Sequence, residues 1–253
     1  MTGEIDAAKF HPVRMGLEPL ALEDWLKPQV GDQALLPLRA RLAAEKRDDV
    51  LGLMPEGAAA VAELAAFLHQ RGFGALGAGS GLAALAAIAG AVAEDLCILT
   101  PHDGQYRLTA GVLCFPNRWR LREKMGANLL AVHGPVPDYA DKLAEGVDRF
   151  LARLRPLRAY IRDNWGLASV PDLHLPDPVP PVNPAADETF YVRGEAQAFL
   201  KLPGSGAVIF SIRTTITPWA EITAARKAGI AAVVKELSRP WLDYKSLTRP
   251  ENP

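Results

Sequence analysis

The 253-residue sequence predicts an α+β fold with an antiparallel sheet, and three observations carry that reading. Ahead of Asp95 the apolar residues recur at helical spacing. Between Leu96 and Ile216 much of the chain alternates with a period of two. Two of the alternating segments meet across Pro203-Gly204-Ser205-Gly206, a turn tight enough to require antiparallel pairing. Helices gather at the front, middle and end of the chain rather than after each strand, which separates this pattern from a βαβ array. No internal repeat at a period of about 20–50 residues is visible.

The helical part opens with Arg39 to Glu45 and continues with Gly57 to Gln70, where Val61, Leu64, Ala65 and Leu68 fall on one face. Gly72 and Gly74 end that segment, as C-terminal glycines do. A second, Ala-rich helix is expected from Leu82 to Asp95. Leu96-Cys97-Ile98-Leu99 then reads as a short strand, Pro101-His102-Asp103-Gly104 as its turn, and Tyr106 to Phe115 as a long strand stopped by Pro116. A helix returns after Pro137, with Asp138 as N-cap and Leu143, Val147, Phe150, Leu151 and Leu154 as its apolar face. Ala159 to Leu167 is the third strand. Six prolines between Pro171 and Pro184 enforce a loop. Phe190 to Leu202 and Ala207 to Ile216 form the hairpin, which makes five strands. Thr217-Pro218 caps a final helix reaching Leu237, and Arg239 to Pro253 reads as a surface tail.

Composition narrows the function. With 28 basic and 29 acidic side chains the net charge is −1, against the basic excess of a dedicated nucleic-acid binder. A hydrophobic share of 49% with 23% charged residues excludes disorder. A chain of this size buries about 70–75% of its unfolded surface and needs no metal or disulfide staple. Cys97 and Cys114 are too few for a four-thiolate iron–sulfur or zinc site; they suit a reducing compartment, with a single disulfide left open. The segment Met1 to Asp6 lacks the basic head and apolar run of a signal peptide. Ala75 to Ala93 is uncharged over a membrane-spanning length, but its alanines and glycines give little transfer energy, so a buried helix is expected. These readings place the protein in the cytoplasm, away from membranes and nucleic acid.

Portable motifs say less. Gly72-Phe73-Gly74-Ala75-Leu76-Gly77 matches the dinucleotide fingerprint, yet it follows a helix where that chemistry needs a strand. The run Arg118-Trp119-Arg120-Leu121-Arg122-Glu123-Lys124 is read as a phosphate patch, an anion clamp or a solvated turn. His133, between a short apolar stretch and the rigid Gly134-Pro135-Val136-Pro137, is read as an iron ligand, a base or a loop-bonded histidine. No nucleophilic triad, His-Glu-x-x-His or P-loop is present, and without Cys-x-x-Cys-His there is no covalent c-type haem.

Longer strings are more informative. Cys114-Phe115-Pro116-Asn117-Arg118-Trp119 followed by His133-Gly134-Pro135-Val136-Pro137 resembles the haem-dependent oxidative N-demethylase family. Glu94-Asp95-Leu96-Cys97, Arg162-Asp163-Asn164-Trp165, Arg193-Gly194-Glu195-Ala196-Gln197 and Leu202 to Ala207 agree in order, as does Gly16 to Leu26. The resemblance runs from about Phe10 to Ile216. It implies a single haem-binding, PAS-like domain over residues 1–253, mainly helical at 1–95, sheet-forming at 96–216, with a C-terminal helix and tail at 217–253. It also implies a non-covalent haem b iron and oxidative demethylation of a small secondary amine such as dimethylamine by a monooxygenase reaction with O₂. Electrons would come from separate flavin and iron–sulfur reductase proteins, because this chain lacks the thiolates for such clusters. Ala196 departs from the family string, which carries a second basic residue there, so a propionate or substrate contact is expected to be lost.

On that resemblance the expected metal ligand is His133, with Cys114 second because a thiolate favours O–O cleavage. Arg118, Arg120, Arg122 and Arg193 are the expected anion partners of the cofactor, with Trp119 beside them. Glu195 and Trp165 would receive the alkylammonium, with Asn164 next to them in the catalytic set. The alternatives are a non-catalytic haem sensor or haem-binding protein, and a nucleotide-dependent oxidoreductase resting on the glycine string.

Overall fold

The computed structural model describes residues 14–74, 76 and 79–248. In chain order its strands are β1 (Glu18–Leu20), β2 (Leu51–Leu53), β3 (Asp95–His102), β4 (Gln105–Val112), β5 (Ala159–Ala168), β6 (Tyr191–Lys201) and β7 (Val208–Pro218). They form one antiparallel sheet in the order β1-β5-β6-β7-β3-β4-β2. The α+β expectation therefore holds, but the strand count is corrected from five to seven among the described residues. Both additional strands are three-residue edges, too short for alternation to show in the sequence.

The sheet is centred on the β6–β7 hairpin, whose strands pair from Tyr191 opposite Pro218 to Lys201 opposite Val208. Its turn is tied to the helical layer by Glu63, whose carboxylate accepts from the Gly204 and Ser205 amides at 2.6 and 2.7 Å. The β3–β4 turn puts Asp103 and Gly104 at φ 47° and 78°, the left-handed pair that suits the twist of a two-residue hairpin.

Alternation then assigns every side chain to a face. Leu96, Ile98, Ala110, Val112, Ala198, Leu200 and Ile209 point to one side and bury against helices. These are α1 (Asp32–Glu45), α3 (Ala58–Gln70) and α4 (Gly81–Ala89), joined through the short α2 (Arg47–Val50). Each fully buried Leu or Ile there stabilises the fold by about 1.5–3 kcal/mol. The same layer holds a buried ion pair, Arg39 to Asp95 at 2.7 Å. Asp95 also accepts from the Cys114 and Phe115 amides at 2.7 and 2.8 Å, which fixes the backbone where β4 runs toward Asn117 and Arg118. The Ala-rich helix ends at Ala89, earlier than Asp95, because Asp95 already belongs to β3.

The opposite face carries Cys97, Leu99, Leu108, Phe199 and Phe210, covered by α5 (Leu121–Lys124), α6 (Leu129–Val132) and α7 (Ala144–Arg153). Asp138 stands at the expected N-cap position, at φ 61°, but its carboxylate makes no capping hydrogen bond and instead accepts from Trp241 Nε1 at 3.1 Å. A π-helical turn at Tyr139–Leu143 precedes α7.

The C-terminal part departs most from expectation. β7 extends through Pro218, and α8 (Ala224–Glu236) begins only after Thr223, whose hydroxyl accepts from the Arg226 amide. The residues read as a surface tail include α9 (Arg239–Lys245), in which Trp241, Leu242 and Lys245 are buried. Seven residues give too few turns for helical periodicity to be read. Cys97 and Cys114 are both free and buried, so the disulfide option is closed. Among the described residues no helix is long and apolar enough to cross a membrane. The fingerprint glycine string does follow a helix, α3, although its Ala75 and Gly77 lie outside the described residues.

Candidate functional site

A cavity of about 320 Å³ lies between the second sheet face and the cover made by α5 to α7 and α9. Its floor follows from the strand register. Arg162 stands opposite Gln197, Asn164 opposite Glu195, Gln197 opposite Ile212, and Phe210 opposite Cys97, so all seven share one face. The floor is thus polar on β5 and β6 and apolar on β7 and β3. Leu113, Phe115, Leu129, Val132 and Val147 extend the apolar wall.

The polar end is crowded with charge. Arg118, Lys124, Arg162 and Lys245 line the cavity, against the single carboxylate of Glu195. Glu195 Oε2 accepts from the side-chain amides of Asn164 (3.1 Å) and Gln197 (2.8 Å), and Oε1 lies 4.0 Å from Arg193 Nε. Arg162 Nε is buried and has no hydrogen-bond partner among the described residues. Arg118, at φ 61°, donates from Nη1 to Ser246 Oγ and from Nε to Asn117 Oδ1. Lys245 Nζ donates to the Trp165 carbonyl at 2.6 Å. Burial pushes the Lys245 ammonium down to about 7; Glu195 opposes that shift, while Arg118 and Arg162 add to it.

His133 lines the same cavity. The chain at Asn128 caps α6, its side chain accepting from the Ala131 amide, and the turn that follows brings His133 Nδ1 to 2.9 Å from the Leu129 carbonyl. A carbonyl can only accept, so Nδ1 carries the proton and the Nε2 lone pair is free to ligate. The ring stacks on Tyr139 at 4.3 Å. Burial lowers its pKa, the Leu129 carbonyl opposes this, and Arg162 and Lys124 reinforce it. The imidazole is therefore neutral at pH 7.

The structure brings together His133, Arg118, Trp119, Asn164 and Glu195 from the set expected on sequence. The others lie elsewhere. Arg120 and Arg122 are turned to the surface, where Asp49 and Asp177 pair with them. Arg193 is 1% exposed, and its guanidinium donates to the carbonyls of Phe115, Pro116, Asp172 and Leu173. It clamps two loops, faces Glu195 at 4.0 Å and does not line the cavity. Cys114 belongs to the helix-facing core and does not line the cavity, and burial pushes its thiol up to about 12. Trp165 packs among Phe190, Val192 and the C-terminal helices. Ala196 pairs with Asp163 and Arg213, on the face turned away from the cavity. A basic residue at that position would not reach the site, which corrects the expectation of a lost contact.

Arg162, Gln197, Tyr139, Tyr244 and Lys245 were missed as site residues. The alternation of β5 and β6 could have supplied Arg162 and Gln197, each two residues from a chosen position. Tyr244 and Lys245 carried no local signal. A comparison with protein-family models matches residues 75–253 to the family described as haem-dependent oxidative N-demethylase, alpha subunit-like. That stretch contains every cavity residue named above.

Proposed function

The chain belongs to the haem-dependent oxidative N-demethylase, alpha subunit-like family, and from that premise we propose that it demethylates a small secondary amine of the dimethylamine type with O₂ and electrons from a separate reductase. Haem is the family's cofactor, and this cavity fits it on three counts. Its walls are largely apolar, as a macrocycle requires. Its excess of cations over carboxylates asks for anionic groups, which two propionates supply. Its one lining histidine is fixed as a neutral tautomer with a free ring nitrogen.

In this reading a non-covalent haem b in a PAS-like frame would be held through its iron by His133. Arg162 and Arg118 would hold the propionates, and Lys245 would add its charge there. When bound, haem supplies the activation of O₂ that, with two electrons and two protons, converts an N-methyl group into formaldehyde and leaves the shortened amine and water. The protein's own part is recognition. A dialkylammonium ion is attracted to the Glu195 carboxylate, whose orientation Asn164 and Gln197 fix. The aromatic wall near it comes from Trp119, Tyr139 and Tyr244 rather than Trp165.

The geometry of His133 carries this reading. The test is a visible spectrum of the haem-reconstituted protein beside His133→Ala, followed by formaldehyde measurement with dimethylamine and a chemical reductant. Haem uptake, a changed spectrum in the variant and formaldehyde matched by methylamine are expected. Haem uptake without formaldehyde would leave a haem-binding or sensing protein.

A further inference from the structure

In the basic cluster that stands out in the sequence, Arg118 to Lys124, the two cations outside the cavity, Arg120 and Arg122, are neutralised by Asp49 and Asp177. A second cluster is not. Arg149, Arg153, Arg155 and Arg158 fall within ten residues that contain no acidic side chain. All four are exposed and line one surface recess together with Phe150 and Tyr160. Arg149 pairs with Glu145 at 2.5 Å, whereas Arg153, Arg155 and Arg158 form no ion pair among the described residues. Amid them Leu157 is 38% exposed. Unpaired arginines around an apolar centre have the make-up of a protein-docking surface. In a chain of net charge −1 so local a positive field selects an acidic partner.

The floor of the recess adds a second, independent observation. Phe150 packs edge-on against Tyr160 at 5.4 Å and against Phe199 at 5.7 Å; Phe199 in turn stacks on Phe210 at 4.7 Å. Phe199 and Phe210 are cavity wall. A single layer of aromatic rings therefore separates the arginine surface from the interior site. On the same apolar face of α7, one turn before Phe150, Val147 lines the cavity.

We propose that the Arg149–Arg158 surface docks an acidic one-electron carrier, a reduced iron–sulfur protein, and that electrons reach the cavity across the Phe150/Tyr160–Phe199 layer. The inference rests on the haem reading above for its acceptor, but the docking itself does not. Each docking event would oxidise the carrier by one electron and reduce the bound haem by one. Two such events, with O₂ and two protons, balance one demethylation.

The probe is an acidic plant-type [2Fe–2S] ferredoxin. Its binding to the haem-loaded protein is measured by calorimetry at about 20 and about 200 mM salt, where screening lengths differ severalfold. The expected result is association that weakens with salt and falls by about tenfold or more in Arg153→Glu/Arg158→Glu. That variant should keep the parent haem spectrum, since neither residue lines the cavity. Rapid mixing with reduced ferredoxin should reduce the haem in the parent and slow in the variant in proportion to lost binding. Equal binding by parent and variant, or no binding by the parent at low salt, overturns the proposal. Binding without haem reduction overturns the electron route. Failure of the demethylase reading shows separately, as absent formaldehyde with a chemical reductant.

Discussion

Lys245 offers the sharpest physical test of the cavity. Its ammonium is fully buried, beside Arg118 and Arg162, and its pKa falls from 10.5 to about 7 in the folded, haem-free protein. In the unfolded chain the same group keeps its proton up to 10.5. Between these values the unfolded state binds one proton more than the native state, so stability rises with pH. The slope is about 1.4 kcal/mol per pH unit. From pH 7 to about 8.5 the gain is about 2 kcal/mol, and the ceiling over the whole window is about 5 kcal/mol. Above pH 9 the buried thiols of Cys97 and Cys114, pushed up to about 12, pull the other way, because the unfolded thiols ionise first. Comparison with Lys245→Met removes that background. Urea unfolding of both proteins without haem, at pH 6.5, 7.5 and 8.5, should show the parent gaining on the variant as pH rises. At the lowest pH the variant should be the more stable. Parallel stability–pH curves would show that Lys245 is hydrated, and the dry, cation-rich end of the cavity would fall with it.

Three further outcomes follow from the same geometry. Arg162→Met should fold normally, since its Nε has no partner to lose, and should lower haem affinity by about ten- to hundredfold, the loss of one charged hydrogen bond at about 1.5–3 kcal/mol; a haem titration decides it. Asp95→Ala strips the buried Arg39 of its ion pair at 2.7 Å and should cost about 3–5 kcal/mol by denaturant unfolding, whereas Arg122→Ala, at an exposed pair, should cost under about 1 kcal/mol. Gly57→Ala would place a methyl 2.7 Å from the Thr109 carbonyl oxygen, against backbone that cannot yield; a loss of about 1–3 kcal/mol is expected in thermal unfolding.

Much of this protein was legible without coordinates. The helical spacing of Val61, Leu64 and Leu68, the alternation through Tyr106 to Val112, and the hairpin around Pro203 to Gly206 each state a local preference, and local preferences survive folding. The strings around Cys114–Trp119 and His133–Pro137 pointed to the family that residues 75–253 match. Single residues within those strings were harder. Arg118 and Arg193 look alike in sequence, but one lines the cavity and the other is spent on four backbone carbonyls. Which way a guanidinium points depends on what the distant Phe115–Pro116 and Asp172–Leu173 segments leave unsatisfied.

Tertiary structure alone decided the rest. Strand alternation put Glu195 and Gln197 on the cavity face and Ala196 behind it, but only sheet assembly showed which face is hollow. It brought Tyr244 and Lys245, from a segment that reads as a tail, to within reach of Arg118 and Arg162. It paired Arg120 and Arg122 with Asp49 and Asp177 and left Arg153, Arg155 and Arg158 without an ion pair among the described residues. Sequence thus determined the elements, because periodicity and turn chemistry act over neighbouring residues. The fold decided charge and access, because desolvation and pairing depend on groups that meet only when the chain closes on itself.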